Sequence, residues 1–173
     1  MIYIGCDDGH AEMKYCWFLA GMLEHECASY PSRVALALGQ GLTSLTGAAT
    51  GNAYDTNGQR YTVLPKSSQG LLDTRVPDYP YSDANRVLVY HALTKIGCEG
   101  REVSICTGLP PESYFGPRSA QNEILIRKKK ESLAKPVRSV TAAAKPIKIS
   151  AQDVIAEGVA AVIDAEIDDH GEV

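Results

Sequence analysis

The sequence predicts an α/β fold: a mixed sheet with flanking helices and a small β-rich insertion. Three features point to it. Residues 1–30 contain three β-prone runs joined by tight turns, at 2–6, 15–20 and 23–30. Two later stretches, opening at Ser82 and at Asn122, carry apolar residues at helical spacing. Between these regions lies a segment, residues 31–80, whose part from 39 to 58 is rich in Gly, Thr, Ser, Ala and Asn and reads as loops around short edge strands. Strands followed by helices, with hairpins early, indicate a layered α/β architecture.

Each element has a local reason. Asp8-Gly9 separates the first two runs as a turn would, and the third run completes an antiparallel meander. Residues 34–38 form a fourth apolar run, and Asn57-Gly58 is a strong turn dipeptide ahead of Tyr61-Thr62-Val63. Ser82 suits a helix N-cap, Asp83 suits the positive end of the helix dipole, and Gly97 ends the run marked by Val87, Leu88, His91, Ala92 and Ile96. Residues 103–107 read as a short buried strand, broken by Gly108-Leu109-Pro110-Pro111. Residues 122–133 form the second helix, whose Arg127-Lys128-Lys129-Lys130 run reads as a solvated face, with contact to an acidic neighbour as the alternative. Residues 137–141 and 147–150 read as strands around an Ala-rich turn. After Ala151, the spacing of Val154, Val159, Val162 and Ile163 predicts a final helix that includes Gly158.

Composition narrows the function. A chain of 173 residues is one domain of ordinary size, with enough length for a real core. The net charge of −4 argues against general nucleic-acid binding by this chain. No apolar run is long enough to span a membrane, and no signal peptide is visible at the start, so the cytoplasm is the default location. The five cysteines, Cys6, Cys16, Cys27, Cys98 and Cys106, include no Cys-x-x-Cys pair and are expected to be buried free thiols rather than disulfides or zinc ligands. His10, His25, His91 and His170 form no ligand spacing.

Residues 7–14 are the chemically distinctive stretch. Asp7 closes the first strand, Gly9 permits a tight turn, and Lys14 stands seven positions after Asp7 on the returning strand. This is a simple hairpin, or a site in which Lys14 and backbone N–H groups hold a polyphosphate while Asp7 faces a hydrated Mg²⁺. The spacing resembles the first phosphate loop of the actin superfamily, with His10 and Ala11 where those proteins usually carry Ser or Thr.

Further blocks are more specific. Tyr81-Ser82-Asp83-Ala84-Asn85 followed by His91-Ala92-Leu93 closely resembles the ParM/StbA family of actin-like plasmid-segregation ATPases. So do residues 102–107 with Leu109-Pro110 and Glu112-Ser113-Tyr114-Phe115, Asn122-Glu123 ahead of Arg127-Lys128-Lys129, and Asn57-Gly58 before Tyr61. The segment around Glu157 is similar to the family stretch whose Glu stands beside the γ-phosphate, with Ala156 where Pro is usual.

The resemblance implies an actin-like, ribonuclease-H-like core at 1–30 plus 81–173 (subdomain IA) with 31–80 as an inserted subdomain IB. It implies ATP or GTP bound with Mg²⁺, phosphate contacts from Asp8, Gly9, His10 and Lys14, and catalytic roles for Glu157 on the attacking water and Asp7 on the metal through water. It further implies self-association into filaments and a DNA-bound, ParR-like adaptor, with no direct contact to nucleic acid or membrane. Such proteins continue into a second half opening with Asp-x-Gly-Gly-Thr. No such segment occurs here, so the chain is expected to be the first half, inactive in isolation. The alternatives are a non-catalytic filament assembly or capping module, and a sugar or acetate kinase of the same superfold.

Overall fold

Hydrogen-bonded strands build two sheets on either side of one helix. The molecule is described by a computed structural model covering residues 1–21, 24–36, 52–65, 70–140 and 145–159. The larger sheet has the order β3-β2-β1-β7-β9, where β1 is Ile2–Asp8, β2 Glu12–Leu19, β3 Glu26–Pro31, β7 Glu102–Leu109 and β9 Lys148–Ala156. The β1–β2 and β2–β3 pairs are antiparallel, and β1–β7 and β7–β9 are parallel, so the sheet is mixed. The smaller sheet runs β4-β6-β5-β8, from β4 (Val34–Leu36), β5 (Ala53–Thr56), β6 (Gln59–Val63) and β8 (Arg138–Ser139). The helices are α1 (Asp83–Lys95), the short α2 (Pro111–Tyr114) and α3 (Glu123–Ala134).

Local chemistry explains the boundaries. In β1 the side chains of Ile2, Ile4, Cys6 and Asp8 point inward and those of Tyr3 and Asp7 outward, the period of two that a half-covered strand requires. Asn57 and Gly58 both have positive φ, as a two-residue hairpin turn needs, and they join β5 to β6. Ser82 caps α1 by accepting the Asn85 N–H, and Asn122 caps α3 by accepting the Leu125 N–H.

Helix α1 is buried from Ala84 to Leu93 because it touches both sheets, and one apolar core joins Ile4 and Val103 of the larger sheet to Tyr54 and Val63 of the smaller. A helix covered on all sides loses the amphipathic stripe that marks a surface helix. Arg86 lies inside this packing. Its guanidinium donates to the Thr56 hydroxyl, to the carbonyl and hydroxyl of Ser132, and to Asp83, tying the β5–β6 hairpin to α3.

Three expectations are corrected. Residues 152–156 are not helical: β9 continues through Val154 to Ala156, held along its length by β7, Gly158 turns with φ +82°, and Val159 is helical. Pairing with a buried parallel neighbour overrides the helical spacing of a few valines. Cys16 and Cys27 are not free thiols. They stand directly opposite each other on β2 and β3, Cα atoms 4.1 Å apart, and form a disulfide. Strand pairing brings together cysteines that spacing alone kept apart. Lys129 is not on a solvated face but wholly buried, while Arg127 and Lys128 beside it are exposed. The loops expected at 39–51, the Ala-rich turn at 141–144 and the helix expected around Val162 and Ile163 lie outside the described residues.

His91 supplies a pH test of this core. Its Nδ1 pairs with the Tyr54 hydroxyl at 2.7 Å, and Tyr30 packs edge-on to its ring. Burial first, and then the Lys95 charge, lower its pKa to about 4 from 6.5. The folded-state value is depressed, so the stabilisation is present above the unfolded pKa and is lost as pH falls from 6.5 towards 4. The loss amounts to at most about 3 kcal/mol. Urea melts across that range should show a steeper fall for wild type than for His91→Asn. Equal slopes would show that His91 is not the group that takes up the proton.

Candidate functional site

Strands β1, β7 and β9 run parallel, and their carboxyl ends open together on a cleft of about 520 Å³. Crevices outside the carboxyl ends of strands are the usual ligand sites of open α/β sheets. Asp7 comes from the end of β1, Lys14 from β2, Gly108 from β7, and Glu157 from the turn after β9. The three residues expected to carry the chemistry, Asp7, Lys14 and Glu157, therefore line one cleft.

The β1–β2 register places Asp7 opposite Lys14, with Oδ2 and Nζ 3.8 Å apart and both side chains largely in solvent. An ion pair that open is weak, which leaves the ammonium available to a ligand anion. Between the strands, Gly9, His10 and Ala11 make a three-residue connection whose carbonyls are all held from outside. Ser32 Oγ donates to Gly9 O at 2.7 Å, Thr74 Oγ1 donates to His10 O at 2.6 Å, and the Ser32 N–H donates to Ala11 O at 3.0 Å. Across trans peptides, the following N–H groups point the opposite way.

Glu157 is placed by backbone and by a missing side chain. Its N–H donates to Leu109 O at 2.8 Å, and its Cγ lies 2.9 Å from where a Cβ on Gly108 would stand. Burial first, and then the charges of Asp8 and Asp7, raise the pKa of its carboxyl above the ordinary value. Such a carboxyl holds a proton more readily than a solvated one, as a group that polarises water should.

The remaining expected residues lie elsewhere. The His10 imidazole turns away from the cleft, bonds the Thr74 carbonyl and packs 5.1 Å from the Tyr79 ring. The Asp8 side chain points to the opposite face of the sheet, where it pairs with Lys129 and accepts from Asn85 Nδ2 at 2.6 Å. Any contact of Asp8 or His10 with a phosphate would be through the backbone. Among the described residues no group of three or more His, Cys, Asp or Glu is arranged to hold a metal. The cleft is lined by only two carboxyl groups, those of Asp7 and Glu157, which suits an ion that keeps its waters. Burial pushes the thiols of Cys6, Cys98 and Cys106 up, so none is a ready nucleophile.

Sequence reasoning missed Gly108 and Lys129. Gly108 was legible only as a strand breaker, because its need for a bare Cα comes from Glu157. Lys129 had a signal: it shares the inward face of α3 with Ile126 and Leu133, three before and four after.

Comparison with known proteins gives a consistent family. The model of the N-terminal part of plasmid segregation protein ParM matches residues 2–168. Among solved structures, the fold is similar to Ta0583, an archaeal actin homologue in complex with ADP, with TM-score 0.66 and 16% identity over 97% of this chain and 48% of that one. It is similar also to the filament structure of AlfA from the B. subtilis plasmid pLS32, with TM-score 0.57 and 14% identity over 94% of this chain and 58% of that one. The chain thus spans about half the length of these structures. No curated protein matches it.

Gly108→Ala tests the close approach of Glu157. A methyl group at 2.9 Å from Cγ must push the side chain aside, at a cost of about 1–3 kcal/mol. Urea melts should show that loss, and a crystal structure should show Glu157 displaced into solvent. Wild-type stability with Glu157 unmoved would mean the cleft has room that the geometry denies.

Proposed function

This chain belongs to the ParM family of plasmid segregation proteins, and on that premise we propose that it is the nucleotide-binding half of a filament-forming ATPase. The observation that carries the reading is the convergence of Asp7, Lys14 and Glu157 on one cleft at the carboxyl ends of β1, β7 and β9. In this reading residues 1–30 and 81–173 form the nucleotide-binding subdomain and 31–80 the inserted one.

Phosphoryl transfer to water needs an aligned water and positive or N–H groups on the developing charge, with little covalent help. Lys14 would sit on phosphate oxygens together with N–H groups of the Gly9–Glu12 connection. Asp7 would orient the water shell of the metal. Glu157, with its raised proton affinity, would hold the attacking water through a hydrogen bond and take up its proton. A hydrated Mg²⁺, when bound, neutralises part of the phosphate charge. ATP, or GTP, is the substrate class, and the second wall of the site would come from an actin-like second domain. Filaments would act on plasmid DNA through a ParR-like adaptor, in keeping with the acidic balance of this chain.

In the full-length protein, Lys14→Ala should weaken nucleotide binding about tenfold or more, the worth of one charged hydrogen bond to phosphate. Titration with a fluorescent nucleotide analogue reads this directly, and unchanged affinity would reduce the loop to a plain hairpin. Glu157→Ala should behave differently. Water positioning acts on the chemical barrier rather than on ground-state binding, so turnover should fall while affinity and assembly hold. Phosphate release and light scattering followed in one sample would decide this. Phosphate release at the wild-type rate would remove Glu157 from the mechanism.

A further inference from the structure

A buried ion pair lies directly behind the cleft. Lys129 on α3 and Asp8 at the end of β1 have side chains 0% and 3% exposed, and they meet in a direct salt bridge. Asn85 on α1 completes the cluster, with its Nδ2 donating to Asp8 Oδ2 at 2.6 Å and its Oδ1 accepting from Lys129 Nζ at 2.9 Å. The second Asp8 oxygen faces the Gly108 N–H at 3.4 Å. Gly108 is the residue over which the Glu157 side chain lies, and Asp8 is flanked by Asp7 and Gly9. The same carboxylate therefore touches the end of β1, which carries Asp7, and the end of β7, which supports Glu157.

We infer that Lys129 is a positioning residue for the cleft: through the Asp8 carboxylate it holds the end of β1 to Gly108 and so sets where Glu157 stands relative to Asp7 and Lys14. The inference rests on the proposed ATPase reading of that cleft. Its physical basis is the cost of burying charge. An isolated buried carboxylate or ammonium is strongly destabilising, whereas the pair is tolerated when its hydrogen bonds are complete. Asp8 therefore keeps its place only where both Lys129 and Asn85 can reach it, which limits how far α1, α3 and β1 can shift against one another. The groups whose charges act on Glu157 are Asp8 and Asp7 from β1, His10 from the connection after it, and Glu112 from α2, with Asp8 acting through the sheet from its opposite face. Asp8 is thus both a spacer and one of the charges that raise the proton affinity of Glu157.

The test uses full-length wild type and Asp8→Asn/Lys129→Met, which removes both charges together at similar volume and keeps the Asn85 contact. The variant should melt cooperatively, because losing a buried pair as a unit is often close to neutral. Its Glu157 carboxyl, followed by carbon NMR, should titrate at lower pH than in wild type. Its kcat for phosphate release should fall about tenfold or more with KM within about threefold, the pattern expected when a reacting group is misplaced while substrate binding is kept. A folded variant with wild-type kcat and a wild-type Glu157 titration would overturn the inference. Should the double variant not fold, Asn85→Ala loosens the same carboxylate and keeps both charges. Lower kcat at unchanged KM would then support the inference, and wild-type kcat would overturn it. If wild type itself releases no phosphate, the ATPase reading fails, and the Glu157 titrations alone decide whether Lys129 and Asp8 govern that carboxyl.

Discussion

The buried contact between Lys129 and Asp8 constrains the rest of the structure. Two unit charges have been taken out of water, and their mutual attraction offsets that cost only with the help of one further hydrogen bond between Asn85 and each, and of the Gly108 N–H on the second Asp8 oxygen. Hydrophobic packing tolerates small slides between elements, but a desolvated ion pair does not, since a shift of an ångström leaves polar groups unsatisfied. Three elements distant in sequence, β1, α1 and α3, are locked at one point, directly behind the opening of the cleft.

A second buried cation extends the same logic. Arg86 follows Asn85 on α1, and Ser132 lies three residues beyond Lys129 on α3, so the two polar clusters are adjacent. Arg86 reaches Thr56 at the tip of the smaller sheet, and Ser132 Oγ in turn donates to the Tyr81 carbonyl at 2.9 Å. The apolar core supplies the bulk of the burial from both sheets. The polar groups decide which arrangement of that core is reached, because each has a small set of partners while a leucine has many.

The cleft differs from its surroundings in being open and acidic on one side and basic on the other. Asp7 and Lys14 are solvated, and the charges of Asp8 and Asp7 act on the Glu157 carboxyl. Its geometry depends on glycine at one key point: Gly108 leaves the space that Glu157 fills. The disulfide between Cys16 and Cys27 joins β2 to β3 beside the same cleft, so the strand bearing Lys14 is linked covalently to the sheet edge.

Much of this was determined by the sequence alone. Tight turns, caps and alternating strands are local events, and Asn57-Gly58, Ser82 and Asn122 act where their chemistry places them. Asp7 and Lys14 could be set opposite each other from the spacing of a hairpin, and Glu157 could be singled out only by its resemblance to a family segment; that all three line one cleft is a property of the fold. Tertiary structure decided the rest, where a residue's role depends on a neighbour far along the chain. Residues 152–156 took a strand over a helix because β7 offered a parallel partner. Cys16 met Cys27 only through antiparallel register. Asp8, next to Asp7 and alike in type, faces the opposite side of the sheet, since a strand alternates its side chains. One lysine of a four-residue basic run lost its solvent because helical geometry turned it, and not its neighbours, toward that carboxylate.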